Sequence, residues 1–162
     1  MKTKNFSRSF LASLAGVAIS GALLLSACDK KKDDTKVPNA KYTISGAASG
    51  SQEVPAVTTS ATATLTGSYD TVSKQLIYSV NWTGLSGDAT MAHFHGPALA
   101  GEEANPIEPL TIVTNGMVGM ATDTITASAD LHSALMAGKA YYNIHTVANP
   151  DGEIRAQVNV SQ

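Results

Sequence analysis

Three histidines stand where strand geometry would let them act together. His93 and His95 lie two apart in Met91-Ala-His-Phe-His-Gly-Pro97, and alternate residues of an extended strand project from one face. Their Cα atoms would be ~7 Å apart. Rings leaning together over that gap can share one ion at ~2.0–2.1 Å from each nitrogen. His145 follows in Tyr141-Tyr-Asn-Ile-His-Thr146, where Tyr142 and Ile144 take one face and Asn143 and His145 the other. Further on, Ile154, Ala156, Val158 and Val160 alternate with Glu153, Arg155 and Gln157. If these segments are neighbours in a sheet, their polar faces form one patch. That patch is a three-imidazole site for copper or zinc, with Asn143 able to orient a ring or a bound water. An H-x-H pair also arises by chance in polar strands, so the alternative is a set of solvated or hydrogen-bonded histidines on an outward face. Met91 shares the face of His93 and His95 and offers a thioether suited to Cu(I), although the expectation is an apolar strand-edge residue. His132 is expected to be an ordinary surface side chain on a helix.

Other chemistry is poorly supplied. The chain has no G-x-S-x-G elbow and no Gly-rich phosphate loop. Glu53 or Glu153 could serve as a base beside a metal ion. The simpler expectation is that Glu53 orders the first loop, while Glu153 and Arg155 form a cross-strand or loop-clamping ion pair. Asn149-Pro-Asp-Gly152 is a turn, with proline presetting φ and glycine supplying a positive one. The chain is expected to bind rather than to catalyse.

The elements that must position these residues are short strands. Period-two alternation marks segments 42–48, 61–69, 75–83, 90–95, 110–113, 122–126, 140–146 and 153–160. In 75–83, Leu76, Tyr78, Val80 and Trp82 share a face. Segment 128–137 is the helical exception: Ser128 can cap it, Asp130 suits its first turn and Gly138 ends it. Leu131, Ala134 and Leu135 give that helix its apolar face. Seven or eight strands in about 120 residues predict an all-β, antiparallel, Greek-key-like sandwich or barrel with one short helix.

Charge and the first residues bound the setting. From position 42 onward, Lys74, Lys139 and Arg155 oppose ten acids, which leaves no basic footprint for nucleic acid. Residues 1–27 carry Lys2, Lys4 and Arg8, no acid, and an apolar run over 10–25. This reads as a signal peptide, because the run is short of the ~20 residues that span a bilayer. Leu25-Ser-Ala-Cys28 resembles the lipobox of bacterial lipoproteins, which implies cleavage before Cys28 and lipidation of its thiol. Cys28 is the sole cysteine, so no internal disulfide forms. The expected organisation is therefore 1–27 signal peptide, 28–41 lipidated cysteine and flexible charged tether, and 42–162 folded domain. The expected location is the bacterial cell envelope, at the outer membrane or cell surface.

Three motifs carry a family resemblance: Ser51-Gln-Glu-Val-Pro-Ala56, Ala92-His-Phe-His-Gly-Pro-Ala98, and residues 135–157 with Tyr141-Tyr-Asn-Ile-His145 and Asn149-Pro-Asp-Gly-Glu-Ile-Arg155 at their centre. In that order they resemble the CHRD (chordin) domain over nearly the whole of 42–160. The resemblance implies an extracytoplasmic β-domain, found alone in bacteria and repeated in chordin, beside modules that bind secreted growth factors. An envelope or extracellular protein is thus a further candidate partner, and a metal-free interaction or structural module is the competing reading. Segment 99–109, with Glu102, Glu103 and Glu108, is expected to loop beside the histidines. The H-x-H strand and later histidine also resemble, distantly, copper/zinc superoxide dismutase, which implies an oxidoreductase. That site needs four copper-binding histidines, one of them bridging to zinc, and only three are well placed here.

Overall fold

The computed structural model describes residues 40–162. The expected signal peptide, Cys28 and nearly all of the tether lie outside the described residues. Within them, β1 (Lys41–Ser49), β2 (Thr62–Asp70), β3 (Gln75–Thr83), β4 (Ala89–His95), β5 (Pro106–Pro109), β6 (Ile112–Thr114), β7 (Gly119–Thr126), β8 (Tyr141–Thr146), β9 (Ile154–Gln157) and β10 (Asn159–Ser161) are accompanied by one α-helix, α1 (Ala129–Met136). All strand pairs are antiparallel, in the order β5-β4-β8-β9-β1-β2-β3-β7-β6, with β10 added beside β1. The sheet curls over its own apolar face, as an all-β sandwich or barrel requires.

Alternation places the core. Ile44 and Ala48 of β1, Ala63, Leu65 and Tyr69 of β2, and Leu76, Tyr78, Val80 and Trp82 of β3 turn inward. They meet Phe94, Tyr142, Ile144, Ile154 and Ala156 from the other end of the sheet. Tyr78 packs edge-on against Phe94 with ring centroids 5.4 Å apart, a favourable quadrupole geometry. The curl brings backbones close: a β-carbon on Gly46 would fall 2.9 Å from the Gln157 carbonyl oxygen and 3.1 Å from the Tyr142 ring. Helix α1 closes one end of the core with Leu131, Ala134 and Leu135, and Ser128 caps it by accepting from the Leu131 amide at 3.2 Å. Gly138 follows at φ +67°.

Three expected boundaries change. Segment 110–113 is not one strand. Pro106–Pro109 pairs with β4, and Ile112–Thr114 crosses to β7. Leu110 and Thr111 turn between them, their amides bound to the Ala92 carbonyl and the Tyr78 hydroxyl. The expected 99–109 loop therefore ends as an edge strand against the histidines. Segment 153–160 divides at Val158, whose amide bonds the Ala140 carbonyl and lets β10 continue along β1. Strand β8 is buried along all six residues, because its polar face is covered by other chain segments instead of by water.

Candidate metal centre

Register brings the three histidine-bearing and acid-bearing segments together. Strand β8 lies between β4 and β9, with His93 opposite Asn143, Met91 opposite His145, and Asn143 opposite Arg155. His93, His95 and His145 each offer one nitrogen, and these three atoms lie within 4.8 Å of one another. The ring centroids are 5.7 Å apart for His93 and His95, 5.2 Å for His93 and His145, and 6.3 Å for His95 and His145. His95 and His145 are each only 6% exposed, while His93 is half-buried at the surface.

Backbone carbonyls set the tautomers. His145 Nδ1 is 2.9 Å from the Pro150 oxygen and His95 Nδ1 is 2.9 Å from the Ala104 oxygen. A carbonyl only accepts, so each Nδ1 carries a hydrogen; the neutral His145 ring keeps its Nε2 lone pair, whereas His95 Nε2 lies 2.8 Å from Asn143 Oδ1, a second acceptor. His93 Nδ1 lies 3.2 Å from His145 Nε2. With the His93 proton on Nε2, both facing nitrogens are bare donors to one ion. His95 stacks on Tyr141 at 4.6 Å and 11°. The Tyr141 hydroxyl in turn donates to the Ala104 oxygen at 3.0 Å and accepts from the Ala104 amide at 3.2 Å, which fixes the loop that orients His95.

Burial pushes all three imidazoles below the usual histidine range. Neighbouring histidines add to the effect at His93, and hydrogen bonds oppose it at His95 and His145. Neutral imidazole is the form that binds metal. Three such rings, two of them held by hydrogen bonds at Nδ1 as ligating histidines normally are, fit a copper or zinc ion in donor type and spacing, and His95 Nε2 becomes a ligand once Asn143 Oδ1 turns away from it. Met91 is half exposed on the strand position facing His145. His132 does not join the group. It sits on α1 with Nδ1 2.6 Å from the Tyr69 hydroxyl and Nε2 3.1 Å from Lys74 Nζ, so it ties the helix to β2 rather than facing water alone.

The CHRD domain family model matches residues 44–158. The chain belongs to the CHRD family. No curated protein and no solved structure matches it.

In this CHRD domain the acidic residues take places that their sequence neighbours do not announce. Glu153 and Arg155 do not pair. Glu153 is fully buried and accepts from the Ser86 hydroxyl (2.6 Å), Thr146 (2.7 Å), Thr59 (2.9 Å) and the Ser86 amide (2.9 Å). Burial opposes its ionisation, but these four donors outweigh that and hold the carboxyl below its usual range. Arg155, 2% exposed, places its guanidinium carbon 3.5 Å from the Tyr141 ring centroid and donates to the Leu99 carbonyl and Gln157. The expected ion pair does not form: Glu153, just before β9, is satisfied by Ser86, Thr146 and Thr59, while Arg155 is held over Tyr141 and by Leu99 and Gln157. Glu53 is buried too, 8% exposed, and its carboxyl is pushed up to about 7, chiefly by burial, with Arg155 opposing and Glu103 adding. Tyr141, Ser86, Thr59 and the two orienting carbonyls carry no sequence signal, since hydroxyls and backbone oxygens occur everywhere.

Proposed function

We propose that this CHRD domain is a ligand-binding module of the bacterial cell envelope that binds a transition metal ion, copper or zinc, through His93, His95 and His145. The observation that carries the reading is the convergence of three imidazole nitrogens within 4.8 Å of one another, with two of the rings fixed at Nδ1 by backbone carbonyls. Met91, opposite His145, adds a soft donor on the copper side of that choice. A binding role accounts for the site better than dismutase-like turnover, because the fourth histidine, His132, is engaged elsewhere. The domain is carried to the envelope by lipid at Cys28, several acyl chains contributing ~0.8 kcal/mol per buried methylene.

Calorimetry of Zn(II), Cu(II) and Cu(I) into the purified protein tests the site. One equivalent should bind, and Ala at 93, 95 or 145 should cost about 100-fold in affinity, since each removes a direct ligand. His132→Ala should leave affinity unchanged while lowering the melting temperature. If saturating metal leaves wild-type melting unmoved, the metal-free interaction module is the function. Cys28→Ser should abolish lipid labelling and membrane fractionation; unchanged labelling would refute the anchor.

A further inference from the structure

Arg155 is a buried cation whose partners carry no charge. It is 2% exposed, and its Nη2 donates to the Leu99 carbonyl at 3.3 Å and to Gln157 Oε1 at 3.2 Å. Its guanidinium carbon lies 3.5 Å from the Tyr141 ring centroid. A buried charge is costly unless an opposite charge pairs with it. The acids that share its neighbourhood are Glu53 and Glu103. Glu53 stays protonated up to about pH 7, and Glu103 is exposed, where water screens it. The charge of Arg155 therefore stands uncompensated inside the fold.

Strand register places that charge behind the histidines. Strand β8 lies between β4 and β9. Tyr141 is opposite His95 on one side, and Arg155 is opposite Asn143 on the other. Tyr141 and Asn143 are two apart and share a face, so all four side chains rise from one side of the sheet. His95 stacks on Tyr141 at 4.6 Å and 11°. One face of a ring cannot hold both an imidazole and a guanidinium at these spacings, so His95 and Arg155 take opposite faces of Tyr141. The result is a single stack across three strands, with a fixed positive charge at its far end.

We propose that Arg155 is a specificity-determining residue of the histidine site, its charge behind Tyr141 biasing the site towards monovalent Cu(I) and against Zn(II) and Cu(II). This rests on the metal reading of His93, His95 and His145. That group holds three histidines and no acid, so no ligand charge offsets the ion. The acid nearest His145 is Asp151, itself exposed. Across the ring the guanidinium stays within ~10 Å of an ion on the histidines, and at an effective dielectric constant of ~20 one unit charge at that range changes a binding constant about tenfold. A divalent ion bears that penalty twice and Cu(I) once. The Met91 thioether, opposite His145, favours the same ion. Asn143 Oδ1 must leave His95 Nε2 for any ion, so it does not choose between them.

The experiment measures Cu(I) and Zn(II) affinities by competition with chromophoric chelators, together with the Cu(II)/Cu(I) potential, in the full chain carrying Cys28→Ser so that no thiol competes. Arg155→Met, which removes the charge, should lower the ratio of Cu(I) to Zn(II) affinity about tenfold and the potential by about 59 mV, the same factor for one electron. Gln157→Glu, which sets a carboxylate against the guanidinium with the arginine still in place, should move both in the same direction. Arg155→Lys, which keeps the charge and loses the planar fork, should match the parent. A parent-like amide spectrum certifies the fold of each variant, and Gln157→Glu carries the test if Arg155→Met does not fold. Unchanged ratio and potential in the folded charge variants, with metal bound, would overturn this role alone. So would an Arg155→Lys that shifts as far as Arg155→Met, since packing would then be the cause. A parent that binds no metal would overturn the metal site and this role with it.

Discussion

The carboxylate of Glu153 collects donors from three places far apart in sequence: Thr59 before β2, Ser86 after β3 and Thr146 at the end of β8. Replacing it by Ala strands four donors in a fully buried pocket, and each unsatisfied group costs ~1–3 kcal/mol. Glu153→Ala should therefore lose at least about 3 kcal/mol in urea unfolding, and Glu153→Gln less, since an amide oxygen still accepts. Glu53 acts in the opposite sense. Its folded carboxyl is raised, so the stability it contributes is full below the unfolded value near 4.5 and is lost as pH rises through about 7. Glu53→Gln should thus be more stable than wild type at pH 8, by about 1–2 kcal/mol after solvent screening, and nearly equal to it at pH 5. An equal gap at both pH values would show that the carboxyl is not perturbed.

At the scale of elements, the site depends on how β8 is covered. Tyr141 stacks on His95 and grips Ala104 through its hydroxyl, so Tyr141→Phe keeps the stack and frees the loop. Metal affinity should fall about tenfold, the usual lower cost of losing an orienting contact, with melting little changed. Ser128→Ala, by contrast, removes the helix cap and should cost ~1 kcal/mol without touching metal binding. These elements were legible to different degrees. β3 reads directly as alternation because one face is apolar and the other meets water. The adjacency of β4, β8 and β9 is not legible, because a polar face does not name the strand beside it; the register supplies it and brings the three histidines together. β5 is illegible because Pro106 and Pro109 argue against a strand, yet both sit on a sheet edge, where a missing N–H costs little. The burial of Glu53, Glu153 and Arg155 is hidden because a polar residue on a strand reads as outward until the loop that covers it is known.

For the whole molecule, three depressed histidines and the depressed Glu153 make the same kind of contribution to stability. Each contributes stability that is present above its unfolded pKa and is lost as pH falls, the imidazoles from ~6.5 downward and Glu153 from ~4.5. Urea unfolding should show stability dropping below pH 6.5 at up to about 1.4 kcal/mol per pH unit for each group that takes up a proton. Replacing His93, His95 and His145 together should flatten that drop; an unchanged slope would place its origin elsewhere.

Strand β1 holds β2 on one edge and the last strands on the other, with Thr43 beside Ser161. The chain therefore closes its sheet only after residues more than a hundred positions apart have met, and contacts of that kind make folding slow, on the order of milliseconds to seconds. His93 and His145 lie between β1 and the β5 edge, on strands that reach β1 only through β9. If those strands join β1 only after the folding transition state, an ion bound there should leave the refolding limb of the chevron in place and lower only the unfolding limb; a faster refolding limb with metal would place their pairing before it. Metal would then lengthen the lifetime of the folded domain without hastening its birth.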